Sequence, residues 1–171
     1  LFFHPAPHPP DPPWSRGVGD VYKCPVQPEV VYGDVLPDLN ATATSGLQVI
    51  YTSDDPAVVE VAGVHLFVRG AGTTVIRAHQ DGSGSADFNA ALDLNATITV
   101  HPRDLEVYAD AASRAYGEPN PALTLHYGPF AYDENATVLD AEPQAFTLAD
   151  ETSPAGVYDL NATGGFDPNY H

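Results

Sequence analysis

Tyr32-Gly33-Asp34-Val35-Leu36-Pro37-Asp38-Leu39 recurs further along the chain as Tyr116-Gly117-Glu118-Pro119-Asn120-Pro121-Ala122-Leu123. Tyrosine, glycine, an acid, proline and leucine keep identical offsets in the two copies. Glycine in such a cluster marks a tight turn, because it alone enters the left-handed region without a steric penalty. A turn repeated at this separation predicts two small β modules rather than one larger core. The join falls near His101-Pro102-Arg103, where a proline interrupts any ladder.

Around these turns the hydrophobic pattern has period two. Leu47, Val49 and Tyr51 alternate with Gln48, Ile50 and Thr52, and Leu105, Val107 and Ala109 alternate with Glu106, Tyr108 and Asp110. Val64 to Arg69 is a short run closed by Gly70, and Leu94 to Val100 alternates again. Such runs, bounded by Gly, Pro, Asp and Ser, predict strands, and no useful helical period competes with them. The 17 prolines and 14 glycines suit many short strands joined by tight turns. The expected fold is all-β: two tandem immunoglobulin-like β-sandwich modules, residues 26–101 and 102–171.

Residues 1–25 are expected to form a separate extended arm. Leu1-Phe2-Phe3 is followed by Pro5, Pro7, Pro9, Pro10, Pro12 and Pro13 before Trp14. That composition favours polyproline II and excludes helix or central strand. Trp14 has little local sequence to bury it and is expected to dock on a module or a neighbour.

The second half resembles the MBG-type repeat of bacterial surface adhesins. The resemblance rests on Ala115 to Leu123, Tyr127-Gly128-Pro129-Phe130, Pro154-Ala155-Gly156-Val157-Tyr158 and Asp167-Pro168-Asn169-Tyr170. The first half resembles the bacterial Ig-like repeat that often precedes it, through Thr42 to Leu47, Tyr51 to Val58 and Gly70-Ala71-Gly72-Thr73. The resemblance implies secreted or surface-attached arrays without catalytic machinery. It also implies one more alternating strand after the Asn-Tyr pair, whereas this sequence ends at His171. The second module is therefore expected to lack its closing strand, with Leu1-Phe2-Phe3 of a neighbouring copy as the candidate donor. The other expectation is that 171 residues are one period of a longer chain. Leu1, Phe2, Phe3, Trp14 and Tyr170 are the expected inter-subunit residues, joined head to tail.

Asn40-Ala41-Thr42, Asn95-Ala96-Thr97, Asn135-Ala136-Thr137 and Asn161-Ala162-Thr163 fit the N-glycosylation acceptor pattern. About one such site is expected by chance from this content of Asn, Ser and Thr. In a strand reading Leu-Asn-Ala-Thr, Leu and Ala face the core while Asn and Thr face outward. N-linked glycans at Asn40, Asn95, Asn135 and Asn161 are therefore expected.

Charge narrows the partners. A formal net charge of -17 opposes binding to phosphate backbones or anionic membrane surfaces, so neither nucleic acid nor membrane insertion is expected. No run approaches the ~20 apolar residues of a membrane span. The absence of methionine and of a basic-then-apolar leader reads as a mature, processed segment of extracellular localisation. Cys24 is the sole cysteine, so any disulfide is interchain.

No catalytic constellation is legible, and neither enzymatic activity nor a cofactor is expected. The one loop with alternate oxygen side chains is Asp81, Ser83, Ser85 and Asp87, a weak calcium candidate that lacks a bidentate Glu. Two functions follow. One is a structural subunit of a glycosylated extracellular filament or surface array whose partners are copies of itself. The other is an adhesin segment that binds a carbohydrate or protein through loops, with Phe130 and Tyr132 as the nearest aromatics.

Overall fold

A computed structural model describes residues 28–82 and 90–171, together with the backbone of 17–18, 21–22 and 88–89. The chain divides into two compact units, Leu1–His101 and Pro102–His171. The described residues contain many short strands and no α-helix, which is the all-β class expected from the period-two runs.

The first unit holds β1 (Gly17–Val18), β2 (Val21–Tyr22), β3 (Glu29–Val31), β4 (Thr42–Ala43), β5 (Ile50–Ser53), β6 (Val59–Ala62), β7 (His65–Val68), β8 (Gly72–His79), β9 (Phe88–Asn89) and β10 (Leu94–His101). Its largest sheet has the order β3-β10-β8-β5, and β6-β7, β2-β4 and β1-β9 form pairs. β10 runs antiparallel to β8 and parallel to β3, with Val30 opposite Val100. Alternation turns one face inward: Ile76, Ala78, Ala96, Ile98 and Val100 are buried with Val59, Leu66 and Val68. At roughly 1.5–3 kcal/mol for each fully buried aliphatic side chain, this row is the dominant favourable term in the unit.

Tyr32 and Gly33 form the turn that leaves β3. The amide of Asp34 donates to the carbonyl of Val31 at 2.9 Å, and Gly33 has φ of 95°. The Asp34 carboxylate accepts the Val31 amide in return. Behind the turn, Tyr32, Leu36 and Leu39 are buried. The Tyr51 hydroxyl then accepts the Ala41 amide at 2.7 Å, pinning the segment after Leu39 to β5.

The second unit holds β11 (Val107–Ala109), β12 (Leu125–Tyr127), β13 (Ala141–Phe146) and β14 (Asn161–Phe166), with single 3-10 turns at Ala131–Asp133 and Ala136–Val138. β11 pairs antiparallel with β12, and β13 with β14. The same turn recurs: the Glu118 amide donates to Ala115 at 3.2 Å across Tyr116 and Gly117, whose φ is 83°. Here, however, Tyr116 is 72% exposed, against 5% for Tyr32. Leu105, Val107 and Ala109 alternate with exposed residues as predicted, and Leu125 and Tyr127 do so on β12, yet each stops at half-buried. Among the described residues of this unit, only Ala131, Asp167 and Tyr170 are buried.

Candidate functional site

Leu105 and Val107 of the half-buried row line a groove beside β11. The hydrogen bonds Gly128 N to Glu106 O (2.8 Å) and Asp110 N to Thr124 O (2.9 Å) flank the pairs Val107–Tyr127 and Ala109–Leu125. Those are therefore the non-hydrogen-bonded pairs of the ladder, and the backbone groups of Val107 and Ala109 point to the opposite edge. That edge begins as a parallel ladder. The Arg103 amide donates to Asn169 O at 2.8 Å, His171 N to Arg103 O at 2.8 Å, and Leu105 N to His171 O at 2.9 Å. The groove continues from there with a volume of ≈ 470 Å³, walled by Leu105, Val107, Leu139, Pro143, Ala162 and Phe166, with Tyr170 and His171 at its entrance. Phe166 is 65% exposed.

Tyr170 organises that entrance. Asp167 caps the turn before it by accepting the Asn169 amide at 2.7 Å. The Tyr170 ring meets Phe130 edge-on at 5.2 Å, and Phe130 meets Tyr127 at 5.8 Å. Its hydroxyl accepts the Ala131 amide at 2.9 Å and donates to Glu134. Burial, with the Glu134 carboxylate second, pushes that hydroxyl up to about 12. Tyr127 is also raised, by burial first and by Glu142 second. Tyr170, expected at an inter-subunit surface, makes these contacts within its own unit and also lines the groove. Phe130, an expected loop aromatic, belongs to the same packed cluster, while Tyr132 is exposed.

A second cleft of ≈ 470 Å³ lies at the Tyr116 turn, lined in part by Arg114, Tyr116, Asn120, Val157, Tyr158 and Leu160. Its polar groups bond to one another. Arg114 donates to Asn120 Oδ1 at 2.6 Å and to the Asp150 carbonyl, Asn120 donates to Ala149 O at 2.7 Å, and Tyr158 donates to Pro154 O at 2.7 Å. The hydroxyls of Thr152 and Ser153 hold the Asp150 carboxyl below the usual carboxylate range.

All four sequon asparagines, Asn40, Asn95, Asn135 and Asn161, are exposed, while Leu39 and Ala96 are buried and Ala41, Leu94, Leu160 and Ala162 half-buried. Asn95 and Asn161 sit on β10 and β14. Asn135 instead caps a 3-10 turn, its Oδ1 accepting the Thr137 amide at 3.0 Å and hydroxyl at 2.7 Å. A glycan attaches through Nδ2, so this cap is compatible with modification.

Histidine pairs His65–Asp38 and His79–Asp93 are close, at 2.6 Å each, but exposed, and they line neither cleft. Among the described residues no group of three or more His, Cys, Asp or Glu is placed to hold a metal ion. Asp81 of the calcium candidate is exposed, and Ser83, Ser85 and Asp87 lie outside the described residues, as do Leu1, Phe2, Phe3, Trp14 and Cys24. No helix among the described residues is long and apolar enough to cross a membrane. An open edge in this module was implied by the resemblance, but the residues that wall the groove were not legible, because they come from four separate segments.

An MBG domain (YGX type) is found at residues 105–171. It spans every wall of the groove as well as the Tyr116-Gly117-Glu118 turn. No curated protein and no solved structure matches the chain.

Proposed function

We propose that this chain is a structural subunit of an N-glycosylated extracellular filament or surface array, built of tandem immunoglobulin-like modules and assembled head to tail. One observation carries the reading: a Tyr-Gly-acid turn with the same hydrogen bond and the same left-handed glycine occurs in two compact units, and the second of these is an MBG domain. A chain made by repeating one supersecondary unit extends rather than encloses a site. The exposure of all four sequon asparagines supports a glycan-covered surface. The acidic surface opposes non-specific association with nucleic acid or anionic lipid.

Electron microscopy of native material, with mass spectrometry of its glycopeptides, tests this. Extended end-to-end assemblies carrying hexose-modified Asn-Ala-Thr peptides are expected. Unmodified, dispersed single particles would sink the reading.

The alternative is an adhesin segment, and the open cleft at Tyr116 and Tyr158 favours it. It calls for glycan-array binding by the monomer that is lost on Tyr116→Ala.

A further inference from the structure

The sequon on β14 has an aromatic ring across the ladder from it. Asn161 pairs directly with Phe146 of β13, Ala162 with Ala145, and Thr163 with Gln144. Directly opposed residues of an antiparallel pair share one face, with Cβ atoms about 5 Å apart. Burial alternates accordingly: Ala145 and Ala162 are half-buried, while Gln144, Phe146, Asn161 and Thr163 are exposed. The asparagine, the threonine of its sequon and one phenyl ring therefore stand together on the outward face. The first unit offers a comparison. Phe67 on β7 is 44% exposed, and the Arg69 guanidinium lies over its ring at 5.4 Å. Phe146 is 39% exposed, and among the described residues no guanidinium or second ring is placed against it.

We propose that the first sugar of a glycan on Asn161 lies over the Phe146 ring and clamps β14 to β13. The proposal rests on the glycosylation reading above and gives one of its glycans a structural contact. Attachment joins Nδ2 to the anomeric carbon of a phosphate-activated sugar donor; the carbon–oxygen bond to phosphate breaks, and Nδ2 loses one proton. The sugar then begins at the asparagine amide, directly beside the phenyl ring. A pyranose presents several polarised C–H groups on one face, and the π face of phenylalanine is negative, so the two attract as a cation and a ring do, only more weakly. Stacking also removes apolar area of both groups from water. The clamp falls where the unit is thinly packed. Among the described residues of this unit only Ala131, Asp167 and Tyr170 are buried, and none of them lies on β13 or β14. The other strand sequon lacks the feature: Asn95 stands opposite Arg77, whose guanidinium is held by both carboxylate oxygens of Asp54. Of the two sequon asparagines on strands, Asn161 is the one with an aromatic partner across the ladder.

NMR and amide hydrogen exchange on the full chain, prepared with and without its glycans, test the contact. In the glycosylated chain, nuclear Overhauser contacts are expected between the Phe146 ring and the first sugar on Asn161, whose ring protons shift upfield in the phenyl ring current. Exchange of the β13 and β14 amides is expected to be about fivefold slower than in the unglycosylated chain. Thr163→Ala removes the acceptor pattern while keeping Asn161 and Phe146, and should abolish that slowing. Phe146→Leu keeps an apolar side chain but no π face, and should abolish most of it with the glycan still attached. Equal slowing in the Phe146 and Phe146→Leu chains, both carrying the glycan, would overturn the contact and leave the glycosylation reading intact. Circular dichroism checks that the variant is folded. The Overhauser measurement needs no variant, and its absence from the unaltered glycosylated chain overturns the contact by itself. Native material with no sugar on Asn161 also overturns the contact; sugars on Asn40, Asn95 and Asn135 in that material would leave the broader reading standing, and sugars on none would end both.

Discussion

The hydroxyl of Tyr170 donates a hydrogen bond to the carboxylate of Glu134 and accepts one from the backbone amide of Ala131. This pair ties the turn ahead of the groove to the loop behind it. Because burial and Glu134 raise the hydroxyl from 10.0 to about 12, the folded state holds this proton more tightly than the unfolded chain. The associated stability is complete below pH 10 and is lost as pH rises from 10 towards 12. Alkaline unfolding of the second unit, followed with tyrosinate absorbance, is expected to steepen across that window. Tyr170→Phe should flatten most of the dependence, leaving the part due to Tyr127.

Arg77 on β8 donates from Nε and Nη2 to the two carboxylate oxygens of Asp54, just after β5, at 2.7 Å each. This fork holds the Asp54 carboxyl below its ordinary 3.8. The contribution is present above that value and disappears as pH falls through the lowered one. Because both groups are exposed, the effect is expected to be small and salt-sensitive. An NMR titration should show Asp54, like Asp150, protonating below the ordinary carboxylate range, and Arg77→Gln should return Asp54 to that range.

The two glycine turns make a matched pair of variants. Gly33→Ala and Gly117→Ala each force an L-residue into the left-handed region, at about 1–2 kcal/mol. An added Cβ at Gly117 meets nothing within 4 Å, so conformation alone accounts for the loss there. Urea denaturation resolved by unit is expected to place each loss in the unit that carries the substitution.

Packing differs between the units, and truncation should expose it. Ile98 is fully buried, so Ile98→Ala is expected to lose about 2–5 kcal/mol. Val107 is half-buried at the groove wall, and Val107→Ala in the monomeric chain should lose only ~1 kcal/mol.

The Asn135 turn offers a local test. Asn135→Ala removes the acceptor for the Thr137 amide and hydroxyl, and is expected to cost about 1 kcal/mol even without any glycan. Asn161→Ala, on an exposed strand position, should change stability by less than about 0.5 kcal/mol.

The sequence by itself determined what depends on near neighbours. Period-two alternation placed Leu105, Val107 and Ala109 on one face, the glycine turns followed Tyr32 and Tyr116, and Leu-Asn-Ala-Thr put Asn40, Asn95 and Asn161 outward. Each of these follows from backbone geometry over a few residues. Only the tertiary structure decided what joins distant segments. The same Tyr-Gly-acid motif buries Tyr32 and exposes Tyr116, because burial depends on what packs over the turn and not on the turn itself. Parallel pairing of 103–105 with 169–171, and with it the groove beside Val107, is likewise invisible in any local period. A ladder between segments so far apart is set by closure of the whole unit, and neither strand's own side-chain pattern names its partner.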